Sequence, residues 1–209
     1  MTDTPTLSHA RPLRIGDTAP DFIARSTKGP FRLSSQRGRW VVFFSHPADF
    51  TPVCTTEFVA LARLQPQFDA LDCALVGLSV DSLYAHLAWV KAIEELFGVP
   101  ISFPIIEDPS MVIGQAYGMI DHSSPDAMAM RSAYFIDPAG VLCAITTYPH
   151  NVGRSAEEML RLVAALKAAE DGKGFAPAGW QPGDPLLAPP PDGAVATNKE
   201  ADWFCRTLA

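Results

Sequence analysis

The chain has 209 residues, nearly half of them apolar and 19% charged, which suits an ordinary globular protein with one domain and an extension or two small domains. A formal net charge of -7, with no lysine and arginine cluster to offset it, argues against nucleic acid as a partner. No apolar run reaches the ~20 residues of a membrane span, and Met1 to Arg14 lacks the apolar stretch of a signal peptide, so a cytoplasmic protein without membrane contact is expected.

No internal repeat is present. Met1–Pro12 is polar and reads as a loose N-terminal segment, Leu13–Asp171 as an α/β domain, and Gly172–Ala209 as a C-terminal extension with six prolines and five glycines in 38 residues. Within the domain, Trp40–His46 is an unbroken apolar run of strand length. Thr51 to about Gln65 carries helical spacing through Phe58, Leu61, Leu64 and Phe68. Cys73–Val80 is a second strand run, Ser82–Phe97 a second helix through Leu83, Leu87 and Val90, and Ile101–Ile106 a third strand run. Such continuous runs suit strands buried on both faces. A short helix is expected near Ser110–Tyr117. Ala133–Ile136, the turn Asp137-Pro-Ala-Gly140 and Val141–Tyr148 read as a β-hairpin. Ser155–Ala169 closes the pattern as a helix, with Ser155 as N-cap and Glu157 and Glu158 in its first turn. The order predicts a mixed sheet with helices packed on it.

The four cysteines, Cys54, Cys73, Cys143 and Cys205, form no CxxC pair, and in a reducing compartment they are thiols by default. Cys73 and Cys143 fall inside apolar strand patterns and read as buried and inert. Cys54 is different. In His46-Pro-Ala-Asp-Phe-Thr-Pro-Val-Cys54, Thr51 is a suitable N-cap and Pro52 suits the first helical position. Cys54 then becomes the third helical residue, beside unpaired backbone N–H groups and the positive end of the helix dipole. Both favour the thiolate, which is the nucleophilic form of cysteine. On position alone Cys54 reads either as a reactive thiol or as a small buried hydrophobe. His46, Thr51 and Glu57 put a hydroxyl and titratable groups within a few residues of it, and Pro47 and Pro52 stiffen the loop that carries it.

The string SHPADFTPVCTTEF, with its Pro47-x-x-x-Thr51-x-x-Cys54 core, resembles the active-site motif of peroxiredoxins. Within that family it is most similar to the one-cysteine-type subfamily, which includes archaeal thioredoxin-dependent members. IGDTAPDF (15–22), GLSVDS (77–82), MRSAYFIDPAG (130–140) and YPHNVGRSAEEMLR (148–161) are similar to other blocks of the family, so the resemblance covers about Arg14 to Lys167 and continues into the proline-rich tail. It implies a thioredoxin-like fold and a thiol peroxidase that reduces hydrogen peroxide and organic hydroperoxides. Cys54 would be the peroxidatic cysteine, attacking one peroxide oxygen and becoming a sulfenic acid. Thr51 would hold the peroxide. Arg131 would face the sulfur, favour the thiolate and stabilise the departing oxygen. Pro47 would shield the site. His46 would contact the peroxide or an adjacent group, Arg154 would be a second arginine near the site, and Glu57 would orient an arginine by an ion pair.

The tail sequence ADWFCRTLA resembles the end of archaeal relatives in which a cysteine resolves the sulfenate of the partner subunit. It has one tryptophan where those have two, and it ends four residues after Cys205. The resemblance implies Cys205 as the resolving cysteine across a homodimer; a one-cysteine cycle with Cys205 as a terminal thiol is the alternative. The resemblance also implies a thiol reductant, either a thioredoxin-like protein or a small thiol, and possible rings of dimers. No metal or organic cofactor is implied. Residues 172–209 would serve as an arm over the partner, with Trp203 and Phe204 docking. A phospholipase serine found in some relatives has no counterpart, because Arg39 stands there. Two other readings of Cys54 are a hydrolase with His46 as base and a redox sensor or chaperone-like scaffold.

Overall fold

The apolar run at Trp40 becomes the centre of a sheet. The computed structural model describes residues 11–120, 126–190 and 204–208. Most of the segment expected to be loose, Met1–Pro12, and Trp203 in the tail lie outside these residues. Contacts divide the chain into two units, 1–156 and 157–209.

The first unit holds seven strands: β1 (Ile23–Ser26), β2 (Gly29–Arg32), β3 (Trp40–Ser45), β4 (Cys73–Ser79), β5 (Ile105–Glu107), β6 (Arg131–Ile136) and β7 (Leu142–Tyr148). They pair in the order β2-β1-β5-β4-β3-β6-β7. β3, β4 and β5 run parallel, joined by α1 (Pro52–Ala70) and α2 (Leu83–Phe97); β6, β7 and the β1–β2 hairpin add antiparallel pairs. A short helix, α3 (Val112–Ala116), follows β5. This is the mixed, helix-flanked sheet of the thioredoxin-like fold.

β3 is buried at every position, so its alternation feeds two cores. On one face Phe43 packs with Phe22 and Tyr117, at centroid distances of 5.2 and 4.8 Å. On the other, Phe44 meets Phe58 of α1 at 5.5 Å and Phe103 at 5.8 Å. The glycine at 77 keeps this second face thin, since a Cβ there would lie 3.2 Å from the Phe58 ring.

Four departures from the sequence reading have local causes. The β1–β2 hairpin was not anticipated, because its four-residue strands are mostly exposed and carry no apolar alternation. Its two-residue turn rests on Gly29 at φ +96 and on the Ser26 hydroxyl, which donates to the Gly29 carbonyl at 2.7 Å. Helix α1 passes through Pro66 and ends at Ala70 rather than near Gln65, with Phe68 fully buried beyond the proline. Proline removes one helical hydrogen bond, and burial of the next turn offsets that loss. β5 begins at Ile105, not Ile101, because Pro100 and Pro104 cannot donate to a ladder. Finally, Cys143 is half-exposed rather than buried, because β7 is an edge strand of the sheet.

Helix α4 spans Ala156–Ala168, all but its first residue in the second unit, with Glu157 and Glu158 in its first turn and Lys167 in its last. The proline-rich stretch after it is fixed by two β-bridges, Phe175 to Leu187 and Leu187 to Thr207. Trp180 is buried; its indole N–H donates to the Asp184 carbonyl at 2.9 Å, and Arg161 donates to the Trp180 carbonyl at 3.0 Å.

Replacing Phe43 by alanine is expected to cost about 3–5 kcal/mol, read from the urea midpoint. Ile23→Ala, at a position 70% exposed, is expected to stay within about 0.5 kcal/mol.

Candidate active site

After β3 the chain turns through residues 46–51 into α1. Phe50 takes the left-handed conformation, φ 56, which is costly for a residue with a Cβ, although its side chain is exposed. Pro47 is buried in this turn. Pro52 opens the helix, and Cys54 is its third residue, with no exposed surface.

Thr51 stands at the N-cap position in extended backbone, yet its side chain does not cap the helix. Its hydroxyl donates instead to the Ala48 carbonyl at 2.8 Å, which corrects the expectation of a capping side chain. That hydrogen bond braces the turn. It also leaves the first-turn N–H groups without a side-chain acceptor, so the N-terminus of α1 stays open to an anion.

Arg131, the first residue of β6, reaches the sulfur. Its Nη1 donates to Cys54 Sγ at 3.3 Å and to Glu57 Oε2 at 2.9 Å, while its Nε donates to the His150 carbonyl at 2.9 Å. Arg154 embraces the same carboxylate. Its Nε and backbone N donate to Glu57 Oε1 at 2.9 and 2.7 Å, and its Nη2 to Oε2 at 2.9 Å. Its Nη1 donates to the Ser132 carbonyl at 2.8 Å, and its guanidinium lies 5.3 Å from the centre of the Phe44 ring. Glu57 therefore holds both arginines, where the sequence suggested one. Burial alone would raise the Glu57 pKa, but hydrogen bonds and charge from Arg154, then charge from Arg131, hold it below the usual carboxylate range. Two guanidinium groups and one carboxylate leave one positive charge in a buried place. The Cys54 sulfur lies beside that charge.

A second polar cluster lies beside this one. His46 Nε2 is 2.8 Å from Asp49 Oδ1, and His86 Nδ1 of α2 is 2.7 Å from Asp49 Oδ2. His86 Nε2 lies 3.3 Å from the Ile106 carbonyl. Burial would raise the Asp49 pKa, but hydrogen bonds from both histidines hold it below its usual value. Burial pushes His46 downward, against the pull of Asp49. The ligand-type atoms of these three residues lie within 4.8 Å of one another, a spacing a metal also uses. Hydrogen bonds account for both His86 nitrogens and for His46 Nε2, while His46 Nδ1 is buried without a partner among the described residues. Sequence reading missed Asp49 and His86. His86 sits in an apolar helix pattern, and only the packing of α2 against the turn shows its partner.

Residues 15–145 match the model of the AhpC/TSA family, and residues 165–201 that of the C-terminal domain of 1-Cys peroxiredoxin. This chain belongs to the peroxiredoxin family. It is 49% identical over 178 residues to peroxiredoxin 2 of Caldanaerobacter subterraneus, covering 85% of this chain and 80% of that one. It is 42% identical over 209 residues to the peroxiredoxin of Aquifex aeolicus, covering 91% and 94%. Among solved structures, yeast mitochondrial 1-Cys peroxiredoxin, studied for thiol resolution via the glutathione and thioredoxin systems, aligns with TM-score 0.83 and 37% identity over 93% of this chain and 98% of its own. Peroxiredoxin 6 of Arenicola marina aligns with TM-score 0.80 and 32% identity, over 87% and 86%.

As a peroxiredoxin the protein is a thiol-dependent peroxidase, an oxidoreductase that reduces peroxide through a peroxidatic cysteine. The peroxiredoxin fold brings Cys54, Glu57, Arg131 and Arg154 into one buried cluster and sets Pro47, Thr51 and His46 in the turn beside it. Cys73 is buried at the start of β4. Cys205 belongs to the second unit and is exposed, as is Phe204. No helix among the described residues is long and apolar enough to cross a membrane.

Removing the carboxylate with Glu57→Ala leaves two buried guanidinium groups unpaired and is expected to cost about 3–5 kcal/mol of stability, read from the urea midpoint. The pH dependence follows from the directions of the shifts. His46 binds its proton less readily when folded, so stability falls as pH drops below the unfolded histidine value of about 6.5. Asp49 and Glu57 are depressed, so their contribution is present above the unfolded carboxylate values of about 4 and is lost as pH falls through the folded ones. Urea midpoints are therefore expected to decline in two stages between about pH 7 and pH 3, and His46→Gln is expected to flatten the upper stage.

Proposed function

We propose that Cys54 is the peroxidatic cysteine and that the surrounding cluster works as one device for cleaving the O–O bond of hydrogen peroxide or an organic hydroperoxide. The observation that carries this reading is the Arg131 N–H placed 3.3 Å from Cys54 Sγ, in a buried cluster with one unbalanced positive charge. The thiolate attacks one peroxide oxygen, sulfur gains that oxygen as a sulfenic acid, and the other oxygen leaves with the bonding pair and a proton as water or alcohol. Negative charge spreads along sulfur and both oxygens at the transition state. Fixed donors along that line lower the barrier. Arg131 and the open N–H groups at the start of α1 are such donors.

Thr51 is held by its bond to Ala48 with its oxygen at the helix mouth, where it accepts a hydrogen bond from the peroxide. His46 contacts the same substrate. Pro47 screens the sulfur from water. Glu57 and Arg154 act through Arg131: they touch no reacting atom but fix the guanidinium in direction and keep the site electropositive.

The sulfenic acid is then attacked by Cys205 of a second subunit, giving a disulfide that a thioredoxin-like protein or a small thiol reduces. An exposed thiol next to an exposed Phe204 suits a segment that docks on another chain. In this reading residues 13–171 form the peroxidase domain, 172–209 the dimerisation arm, and dimers or rings of dimers the working cytoplasmic form.

Cys54→Ser is expected to abolish peroxide turnover in a dithiothreitol-coupled assay; retained turnover overturns the assignment. Arg131→Met is expected to slow Cys54 oxidation about 100-fold or more, as for loss of an oxyanion-type donor. For the resolving step, reduced protein is mixed with one equivalent of hydrogen peroxide and its mass recorded under denaturing, non-reducing conditions. A covalent dimer joined through Cys54 and Cys205 is expected, absent in Cys205→Ser. A monomer one oxygen heavier at Cys54 would establish a one-cysteine cycle instead.

A further inference from the structure

His46 has one nitrogen accounted for and one that is not. Its Nε2 meets the Asp49 carboxylate at 2.8 Å, whereas Nδ1 is buried and has no hydrogen-bond partner among the described residues. Leaving such an atom unpaired is costly, so fully buried imidazoles are normally satisfied at both nitrogens. The ring itself is locked. It stacks on Trp89 with centroids 5.1 Å apart and meets Phe58 edge-on at 4.8 Å. Trp89 is anchored in turn by its indole N–H, which donates to the Thr55 hydroxyl at 3.3 Å. Phe58 lies one helical turn beyond Cys54, so the two share a face of α1. His46 is thus packed over the face of the helix that carries Cys54.

We propose that Asp49 and His86 are positioning residues for peroxide reduction, acting through His46. The Asp49 carboxylate fixes the His46 proton on Nε2 and leaves Nδ1 as a bare acceptor. The ligand that this acceptor awaits is the O–H of the peroxide. An imidazole with its proton on the wrong nitrogen would instead point a donor at an oxygen that must give up hydrogen. His86 holds the other Asp49 oxygen at 2.7 Å and ties the turn to α2, while the Asp49 backbone N–H donates to Asp81 Oδ2 at 2.9 Å. The inference rests on reading Cys54 as the attacking thiol.

The test is a double-mutant cycle on the full chain. The rate of Cys54 oxidation by hydrogen peroxide is measured for Asp49→Asn and His86→Gln, each in the wild-type and in the His46→Ala background. Asp49→Asn is expected to slow oxidation about 10-fold, part of the 10²–10⁴-fold that a placed proton acceptor supplies, and His86→Gln about 3-fold. Both losses are expected to vanish when His46 is alanine, because a residue that acts through His46 has nothing left to position. Equal losses in both backgrounds would mean a merely structural role and overturn the proposal, as would an unchanged rate in Asp49→Asn. If Asp49→Asn does not fold, by circular dichroism, the His86→Gln cycle decides alone. Independently, 15N spectra of the histidine side chains in the resting protein are expected to show His46 protonated on Nε2 only; a proton on Nδ1 overturns the proposal. That spectrum involves no turnover. It therefore stands apart from the Cys54→Ser assay, whose failure would count against the reading of Cys54 itself.

Discussion

One buried carboxylate organises this molecule. Glu57 accepts hydrogen bonds from the backbone and two side-chain nitrogens of Arg154 and from one nitrogen of Arg131. A buried charge without partners is prohibitively expensive, so α1, the start of β6 and the segment that ends at Arg154 must assemble together. The site is thereby built by the same event that closes the fold. Two cations share one anion there, and the Cys54 sulfur lies within hydrogen-bond reach of one of those cations.

Helical spacing converts this constraint into geometry. Cys54, Glu57 and Phe58 stand at positions i, i+3 and i+4 of one helix, so thiol, carboxylate and aromatic ring share a face. Phe58 seats that face on Phe44 of the central strand, and Arg154 lies over the same Phe44 ring. Core packing and the placement of the Cys54 cluster are therefore one set of contacts. The Ser45 hydroxyl adds a further tie, donating to the Met130 carbonyl and accepting from the Ser132 N–H on either side of Arg131.

The turn between β3 and α1 is held from the opposite side by α2. Asp81 receives the Asp49 backbone N–H and the Ser79 hydroxyl, and the Asp49 carboxylate receives a hydrogen bond from His86. Phe50 keeps a left-handed backbone inside this clamp. A sparsely populated backbone conformation of this kind persists where contacts on either side fix the chain, as those of Asp49 and Thr51 do here.

Much of this was legible in the chain itself. The unbroken apolar runs marked the parallel strands, because strands covered on both faces leave no polar alternation. Thr51-Pro52 marked the start of α1 and so the third-residue position of Cys54, because the first helical residue has no intrahelical N–H bond for a proline to remove. The family strings pointed to Arg131, Arg154 and Glu57 as neighbours of the sulfur. The sequence alone could not show which acceptor the Thr51 hydroxyl chooses, that one carboxylate would serve both arginines, or that a histidine in the apolar pattern of α2 would face Asp49. The first is a choice between local partners, the Ala48 carbonyl three residues back winning over the helix N–H groups, whereas the other two depend on residues remote in the chain, up to 97 positions apart for Glu57 and Arg154. Local propensity carries no information about such pairs, and only the folded sheet brings them within hydrogen-bond reach.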